Sequence, residues 1–237
     1  MRIYLLFSIM EAFISLMLKD VVDSYNLTVL WMFINSFVLI GWFYHKSKDT
    51  TMFMFLFIGF LLRLLMMIYD NNVALLPFNT TDAGRFHQLA VETSEALPEQ
   101  MLEFFTGFYS QVLGVIYYIF GPHKFFGHYL NVVFVMLAAT KLIDIADLLE
   151  FKVKNEKLLI ALWLFMPIPM LMSYALLREA SMYYFIVQSI YFFLKWFEKY
   201  NYIYAVLAIL MGLIGGKYHS GVMVVVVPYI YYFIFYS

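Results

Sequence analysis

The chain consists of apolar blocks separated by short polar breaks. A helix of about 20 apolar residues, rising about 1.5 Å per residue, crosses the roughly 30 Å hydrocarbon core of a bilayer. The blocks therefore predict an all-α polytopic membrane protein with about eight transmembrane helices. The predicted spans cover residues 3–18, 27–44, 51–69, 130–148, 158–176, 181–197, 202–214 and 221–236.

One long polar stretch, residues 70–124, separates the third predicted span from the fourth. Its segment 101–120 is apolar, but polar residues and two glycines interrupt it. If this segment spanned the membrane, the later lysines would lie across the membrane from the earlier ones: Lys152, Lys154 and Lys157 against Lys46 and Lys48. Because basic residues collect on the cytoplasmic side, we expect an interfacial helix instead. Both termini are then cytoplasmic, and 70–124 is an extracytoplasmic loop.

Composition agrees with a membrane protein. Of 237 residues, 64% are hydrophobic and only 13% are charged, and the mean hydropathy is +0.81, whereas soluble domains are near a quarter charged. The net charge of −1 argues against nucleic acid as a partner, and the lack of cysteine excludes disulfides and thiolate chemistry. Glu11 interrupts the first block, so we expect an uncleaved first span and no signal peptide. The sequence shows no internal repeat and no low-complexity linker, so we expect one membrane domain, 1–237.

Two charged residues fall inside predicted spans, where an uncompensated charge is costly. Arg63 lies about two thirds of the way along the third span, and Glu11 lies midway along the first. Arg63 either extends its side chain to the interface, pairs with Glu11, or serves a function. For Glu11 the sequence favours a structural role.

The loop contains a motif with acidic, basic and imidazole groups. Asp82 precedes a predicted amphipathic helix, so it is either an N-terminal acid that stabilises the helix or a general base. Arg85 and His87 follow on the same segment. His87 could act as a base or a metal ligand, but no second ligand stands at a suitable spacing, so no metal site is predicted.

Two further breaks fall on the same predicted outer side. Arg178 and Glu179 are adjacent, which fits either an interfacial turn or a phosphate-binding arginine oriented by a carboxylate. Lys217 and His219 follow two glycines and leave the same choice open.

In order along the chain, several motifs resemble the GT-C superfamily of integral-membrane glycosyltransferases, which includes protein O-mannosyltransferases and aminoarabinose transferases. They are Leu62-Arg63-Leu64, Thr81-Asp82-Ala83-Gly84-Arg85-Phe86-His87, Gly107 to Gly114, Gly121-Pro122, Asn131, Pro167, Pro169, Ser173 and Arg178-Glu179. The resemblance covers about residues 55–200. Two features depart from the family's pattern: the first loop motif contains one acid, Asp82, where members often carry two, and 237 residues is short for the family. The length fits a minimal member, a truncated member or a non-catalytic relative.

The resemblance implies transfer of a sugar from a polyprenyl-phosphate donor to an acceptor at the outer face of a bacterial plasma membrane. Under it Asp82 is the general base. The phosphate ligands are Arg178, Arg63, Lys217 and His219, with Glu179, His87 and Arg85 in support. The partners are then membrane lipid, the lipid-linked sugar and other membrane proteins, and no cofactor is identified. The alternatives are a lipid-linked polysaccharide polymerase, a non-catalytic subunit of a membrane assembly, and a transporter.

Overall fold

A computed structural model describes residues 2–18, 21–77, 81–97 and 107–235, and these residues form helices and no strand. The predicted all-α class is therefore confirmed. The α-helices are α1 (Arg2–Leu18), α2 (Ser24–Lys46), α3 (Thr50–Asn72), α4 (Thr81–Ala96), α5 (Phe108–Phe120), α6 (Lys124–Leu148), α7 (Val153–Phe165), α8 (Pro167–Tyr174), α9 (Glu179–Lys199), α10 (Tyr202–Tyr218) and α11 (Met223–Phe235). A 3-10 turn, Ser220–Val222, joins the last two.

Three described helices, α2, α3 and α6, are long and apolar enough to cross a membrane, as expected of an integral membrane protein. A fourth crossing is possible if α7 and α8 count as one broken span, since they meet at a bend of 48°. Pro167 explains the break, because proline lacks an N–H group and keeps the preceding residue, Met166, extended. The other apolar helices among the described residues are shorter than a full span or carry more charge.

Helix α6 is the centre of the bundle. It is buried on most of its faces and packs against α2, α3, α7, α8 and α9. Small residues permit this close packing: a Cβ atom on Gly127 would lie 2.5 Å from a side-chain carbon of Leu176. The residues that α6 carries at each of its ends therefore lie close to several other helices.

One end of the bundle is held by lysine–carboxylate pairs, and we call it the lysine end. Lys46 Nζ lies 2.5 Å from Asp144 Oδ1, which joins α2 to α6. Lys157 Nζ lies 2.5 Å from Asp49 Oδ2, which joins α7 to the start of α3. Lys48 also pairs with Glu156, at 2.7 Å. The four helices are thus fixed in register at this end.

The opposite end, where α3 ends and α6 begins, we call the loop end. Both ends of α5 lie there. Tyr109, near its start, packs against Tyr218 at the end of α10, and the carbonyl of Phe120 accepts a hydrogen bond from Thr28, one turn into α2. Phe108–Phe120 therefore does not run from one end of the bundle to the other. Its interfacial position stays a prediction, and residues 101–106 lie outside the described residues.

Candidate functional site

Helix α4 is packed closely on α5 at the loop end. A Cβ atom on Gly114 would lie 2.5 Å from Thr93 Cβ and 3.0 Å from the carbonyl oxygen of Ala90, so the contact requires glycine. Ala83 and Ala90 are fully buried on this face of α4. Asp82 and Arg85 lie on the exposed part of the same helix.

His87 turns toward α5. Its Nδ1 lies 3.0 Å from the hydroxyl oxygen of Tyr117, and one of the two groups donates a hydrogen bond to the other. Burial lowers the pKa of His87, and the positive charges of Lys124 and His123 lower it further. His87 is therefore neutral near pH 7. Its Nδ1 atom either accepts the hydrogen bond of the Tyr117 hydroxyl or donates one to it, depending on which ring nitrogen carries the hydrogen.

Next to this pair lies a buried polar cluster on α3 and α6. Asp70 is 4% exposed, and its Oδ1 accepts a hydrogen bond of 2.7 Å from the backbone N–H of Leu76. The side-chain Nδ2 of Asn71 donates to the Met67 carbonyl and lies 2.9 Å from His128 Nδ1. Because an amide nitrogen only donates, His128 Nδ1 accepts and the ring proton lies on Nε2.

The Nε2 atom of His128 is buried and has no hydrogen-bond partner among the described residues. The other ring nitrogen of His128, Nδ1, lies 3.9 Å from Asp70 Oδ2, which is beyond hydrogen-bond distance. The cluster therefore presents an imidazole donor beside a buried carboxylate.

A groove of about 620 Å³ lies between α2, α3 and the start of α6. Its walls are apolar, and Val29, Phe33 and Ile68 among them are exposed on the lateral surface of the bundle. Its polar lining at the loop end comprises Asn71, Asn72, His123 and Lys124. No Asp or Glu of the described segments lines the groove. An apolar channel that ends at a cation is suited to a lipid with a hydrocarbon tail and an anionic headgroup.

The break between α8 and α9, which precedes Arg178, is held by Asn131 on α6. Its Nδ2 donates to the carbonyls of Ala175, at 2.7 Å, and Leu177, at 2.8 Å. Arg178 Nε lies 3.8 Å from Glu179 Oε1, so the predicted orientation of the arginine by its neighbour rests on a long contact. The Arg178 side chain is 40% exposed, which leaves it accessible to a ligand.

Arg63 occupies a different environment from the one expected. Its side chain is fully buried, and its Nη1 donates to the Gly59 carbonyl at 2.9 Å. No ion pair joins Arg63 to Glu11 among the described residues; Glu11 accepts instead from Asn35. The Nε and Nη2 atoms of Arg63 have no hydrogen-bond partner in the described part of the chain. A pair with Glu11 and an extension to the bundle surface are therefore both excluded as interpretations of this residue.

The end of α10 carries the last predicted ligands. Lys217 is exposed, and so is His219, whose Nδ1 accepts a hydrogen bond of 3.1 Å from the backbone N–H of Gly221. His219 thus caps the 3-10 turn. Between them the buried Tyr218 packs against Phe185, with ring centroids 5.6 Å apart.

The three segments that carry predicted ligands at the loop end meet there on α5. One apolar cluster contains Ala83 of α4, Tyr117 of α5, Leu176 of the break and Tyr218 of α10. Arg63 is placed elsewhere, in the middle of α3. Sequence reasoning missed His128, although His128 and Asn131 stand three residues apart as polar residues in an apolar span, and such a pair is a signal of buried polar contacts.

Among the described residues no three His, Asp or Glu side chains are arranged to hold a metal ion. No family model matches this chain, and no curated protein or solved structure matches it significantly. A function is therefore inferred from the groove and the loop-end residues themselves.

Proposed function

We propose that this protein is a membrane glycosyltransferase that moves a sugar from a polyprenyl-phosphate donor to an acceptor at the outer face of the membrane. The observation that carries the proposal is the groove between α2 and α3, which has apolar walls and Lys124 at its loop end. The proposal includes the eight-span topology, with the loop end outside and the lysine end in the cytoplasm of a bacterial cell.

The donor has two parts with opposite solvent requirements. A prenyl tail is soluble only in hydrocarbon, whereas its phosphate needs water or a cation. A groove that opens laterally between two spans accepts the tail, and Lys124 together with the second amide hydrogen of Asn72 offers donors to the phosphate.

The transfer needs a base and cations at the leaving phosphate. In the proposed step Asp82 takes the proton of the acceptor hydroxyl, and the oxygen bonds to the anomeric carbon of the sugar. The bond from that carbon to the phosphate oxygen breaks, and the phosphate leaves with the electron pair. Lys124 and Arg178 are the cations proposed to stabilise this charge, with Lys217 farther along the same end.

A second function is favoured by one observation. Asp82 is exposed, and no described side chain forms a hydrogen bond with its carboxylate, whereas a catalytic base is usually held by neighbours. This favours an accessory subunit that binds the lipid and leaves the chemistry to a partner. A polymerase differs in its donor, a diphosphate-linked oligosaccharide, which a donor assay distinguishes.

The test combines binding and turnover in the purified chain. We expect Lys124→Ala to weaken binding of a polyprenyl-phosphate sugar by about 10- to 150-fold, since a charge-assisted contact contributes about 1.5–3 kcal/mol. Lys154→Ala, at the lysine end, is the matched control and should bind normally. Asp82→Asn should change stability little, because Asp82 lies exposed in the first turn of α4 and the amide loses only a helix-dipole interaction of about 0.3–1 kcal/mol. It should lose about 10²- to 10⁴-fold in transfer.

Two results would exclude the proposal in part or in whole. Full activity of Asp82→Asn would remove the base and leave the accessory function. Equal donor binding by Lys124→Ala and Lys154→Ala would remove the groove as the donor site.

A further inference from the structure

A second cavity, of about 150 Å³, lies between α1, α2, α5 and α6. Half of the residues that line it are aromatic: Tyr4, Trp31, Phe120, Phe126, Tyr129 and Phe134. Tyr129 also lines the groove, so this side chain separates the two spaces. The residues assigned to the proposed transfer do not line the cavity, so the transfer does not use it.

A carboxylate lies in the wall of this cavity. Glu11 is 4% exposed, and its Oε2 accepts a hydrogen bond of 3.1 Å from Asn35 Nδ2. The hydroxyls of Tyr4 and Tyr129 donate to Asn35 Oδ1, at 2.8 and 2.9 Å, so the amide of Asn35 is fixed in this orientation. The second carboxylate oxygen, Oε1, is buried and has no hydrogen-bond partner among the described residues.

A donor in the same wall is also unpaired. The indole Nε1 of Trp31 is buried without a hydrogen-bond partner in the described part of the chain. A ligand that compensates both atoms must bring a positive charge to Glu11 Oε1 and accept a hydrogen bond from Trp31 Nε1–H.

The charge of the cavity indicates the class of ligand. Among the residues that the structure describes, no Lys or Arg lines it, and Arg63, the buried cation of α3, forms no ion pair with Glu11. A buried carboxylate needs a compensating positive charge. Aromatic rings carry negative charge on their faces and attract cations, and aromatic cages recognise organic ammonium groups in this way.

We propose that this cavity binds a small organic ammonium ion that carries a hydroxyl group. The ammonium group pairs with Glu11 Oε1 against the aromatic walls, and the hydroxyl accepts the Trp31 indole hydrogen. The volume is sufficient, since a cavity of about 150 Å³ holds a molecule the size of benzene. Choline has seven heavy atoms, about one more than benzene, and contains both groups.

Calorimetric titration of the purified full chain in neutral detergent tests the proposal. Choline should bind saturably, and its uncharged isostere 3,3-dimethylbutan-1-ol should not. Glu11→Gln keeps an acceptor for Asn35 but removes the charge, so it should weaken choline binding by at least about tenfold. Glu198→Gln, an exposed carboxylate of α9, is the matched control and should bind choline as the unmodified chain does.

Trp31→Phe supplies an independent readout, which still applies if Glu11→Gln fails to fold. It keeps an aromatic wall and removes the N–H group, so choline should bind about fivefold more weakly, while tetramethylammonium, which lacks a hydroxyl, should bind unchanged. The proposal is wrong if choline does not bind saturably, if the isostere binds equally well, or if Glu11→Gln leaves binding unaltered. It is also wrong if Glu11 takes up only a proton as the pH falls and choline does not compete with that proton.

Discussion

Asn131 is expected to be the residue that keeps the break between α8 and α9 in place, and Asn131→Ala tests this. The substitution removes the two hydrogen bonds to the carbonyls of Ala175 and Leu177, both of which are buried residues, and a longer bond of 3.4 Å that Asn131 Oδ1 accepts from the Tyr109 hydroxyl. A buried acceptor left unpaired costs about 1–3 kcal/mol. The Ala175 carbonyl keeps one bond, from the backbone N–H of Leu177 at 2.9 Å, so we expect a total loss of about 2–4 kcal/mol.

Thermal unfolding in detergent measures the effect. For a chain of this size about 1 kcal/mol shifts Tm by roughly 2–4 °C, so Asn131→Ala should lower Tm by roughly 4–16 °C. Asn72→Ala is the matched control, because among the described residues the exposed Asn72 side chain bonds only to the Ile68 carbonyl of its own helix. The Tm of this variant should change little. Equal Tm values for the two variants would refute the role assigned to Asn131 and leave the break beside Arg178 without its anchor.

Three further predictions follow from the ends of the bundle. Single cysteines introduced at Lys154 and Glu95 should react with membrane-impermeant reagents from opposite sides, and same-side labelling would overturn the proposed topology. Arg178→Ala should weaken donor binding by about 1.5–3 kcal/mol without loss of folding, since its side chain is partly exposed; poor accumulation in the membrane would instead indicate a structural residue. Because the pKa of His87 is lowered below its ordinary 6.5, its contribution to stability is complete above pH 6.5 and is lost as the pH falls toward the folded value. The Tm of His87→Gln should therefore fall less below pH 6.5 than the Tm of the unmodified chain, and an equal fall in both would contradict this.

The helices were predictable where their signals are local. Asp23 and Asp49 stand just before α2 and α3, and their side chains accept from the backbone N–H groups of Asn26 and Met52, as capping residues do. The apolar pattern could also show that 158–176 is a membrane segment. The pattern could not show that Pro167 divides this segment, because a proline near a helix start and a proline that breaks a span look alike in sequence.

The loop-end contacts were less predictable because they join distant parts of the chain. Nothing in the sequence near His128 indicates that Asn71 and Asp70 lie beside it, since 57 residues separate Asn71 from His128. The reverse holds for Arg63, whose charge suggested a partner in Glu11, although Arg63 donates to the Gly59 carbonyl and Glu11 accepts from Asn35. Charge and motif order identify candidate residues, whereas tertiary packing decides which of them meet.

Photo-crosslinking with a polyprenyl phosphate that carries a diazirine in its tail tests the central claim most directly. The account predicts labelling of α2 and α3 around Val29, Phe33 and Ile68, displaced by excess unlabelled polyprenyl phosphate and reduced in Lys124→Ala. Val206 of α10 and Val224 of α11 are equally accessible to lipid, at 64% and 71% exposure, and should remain almost unlabelled. Labelling spread evenly over these helices, or insensitive to the competitor, would contradict a donor site in the groove.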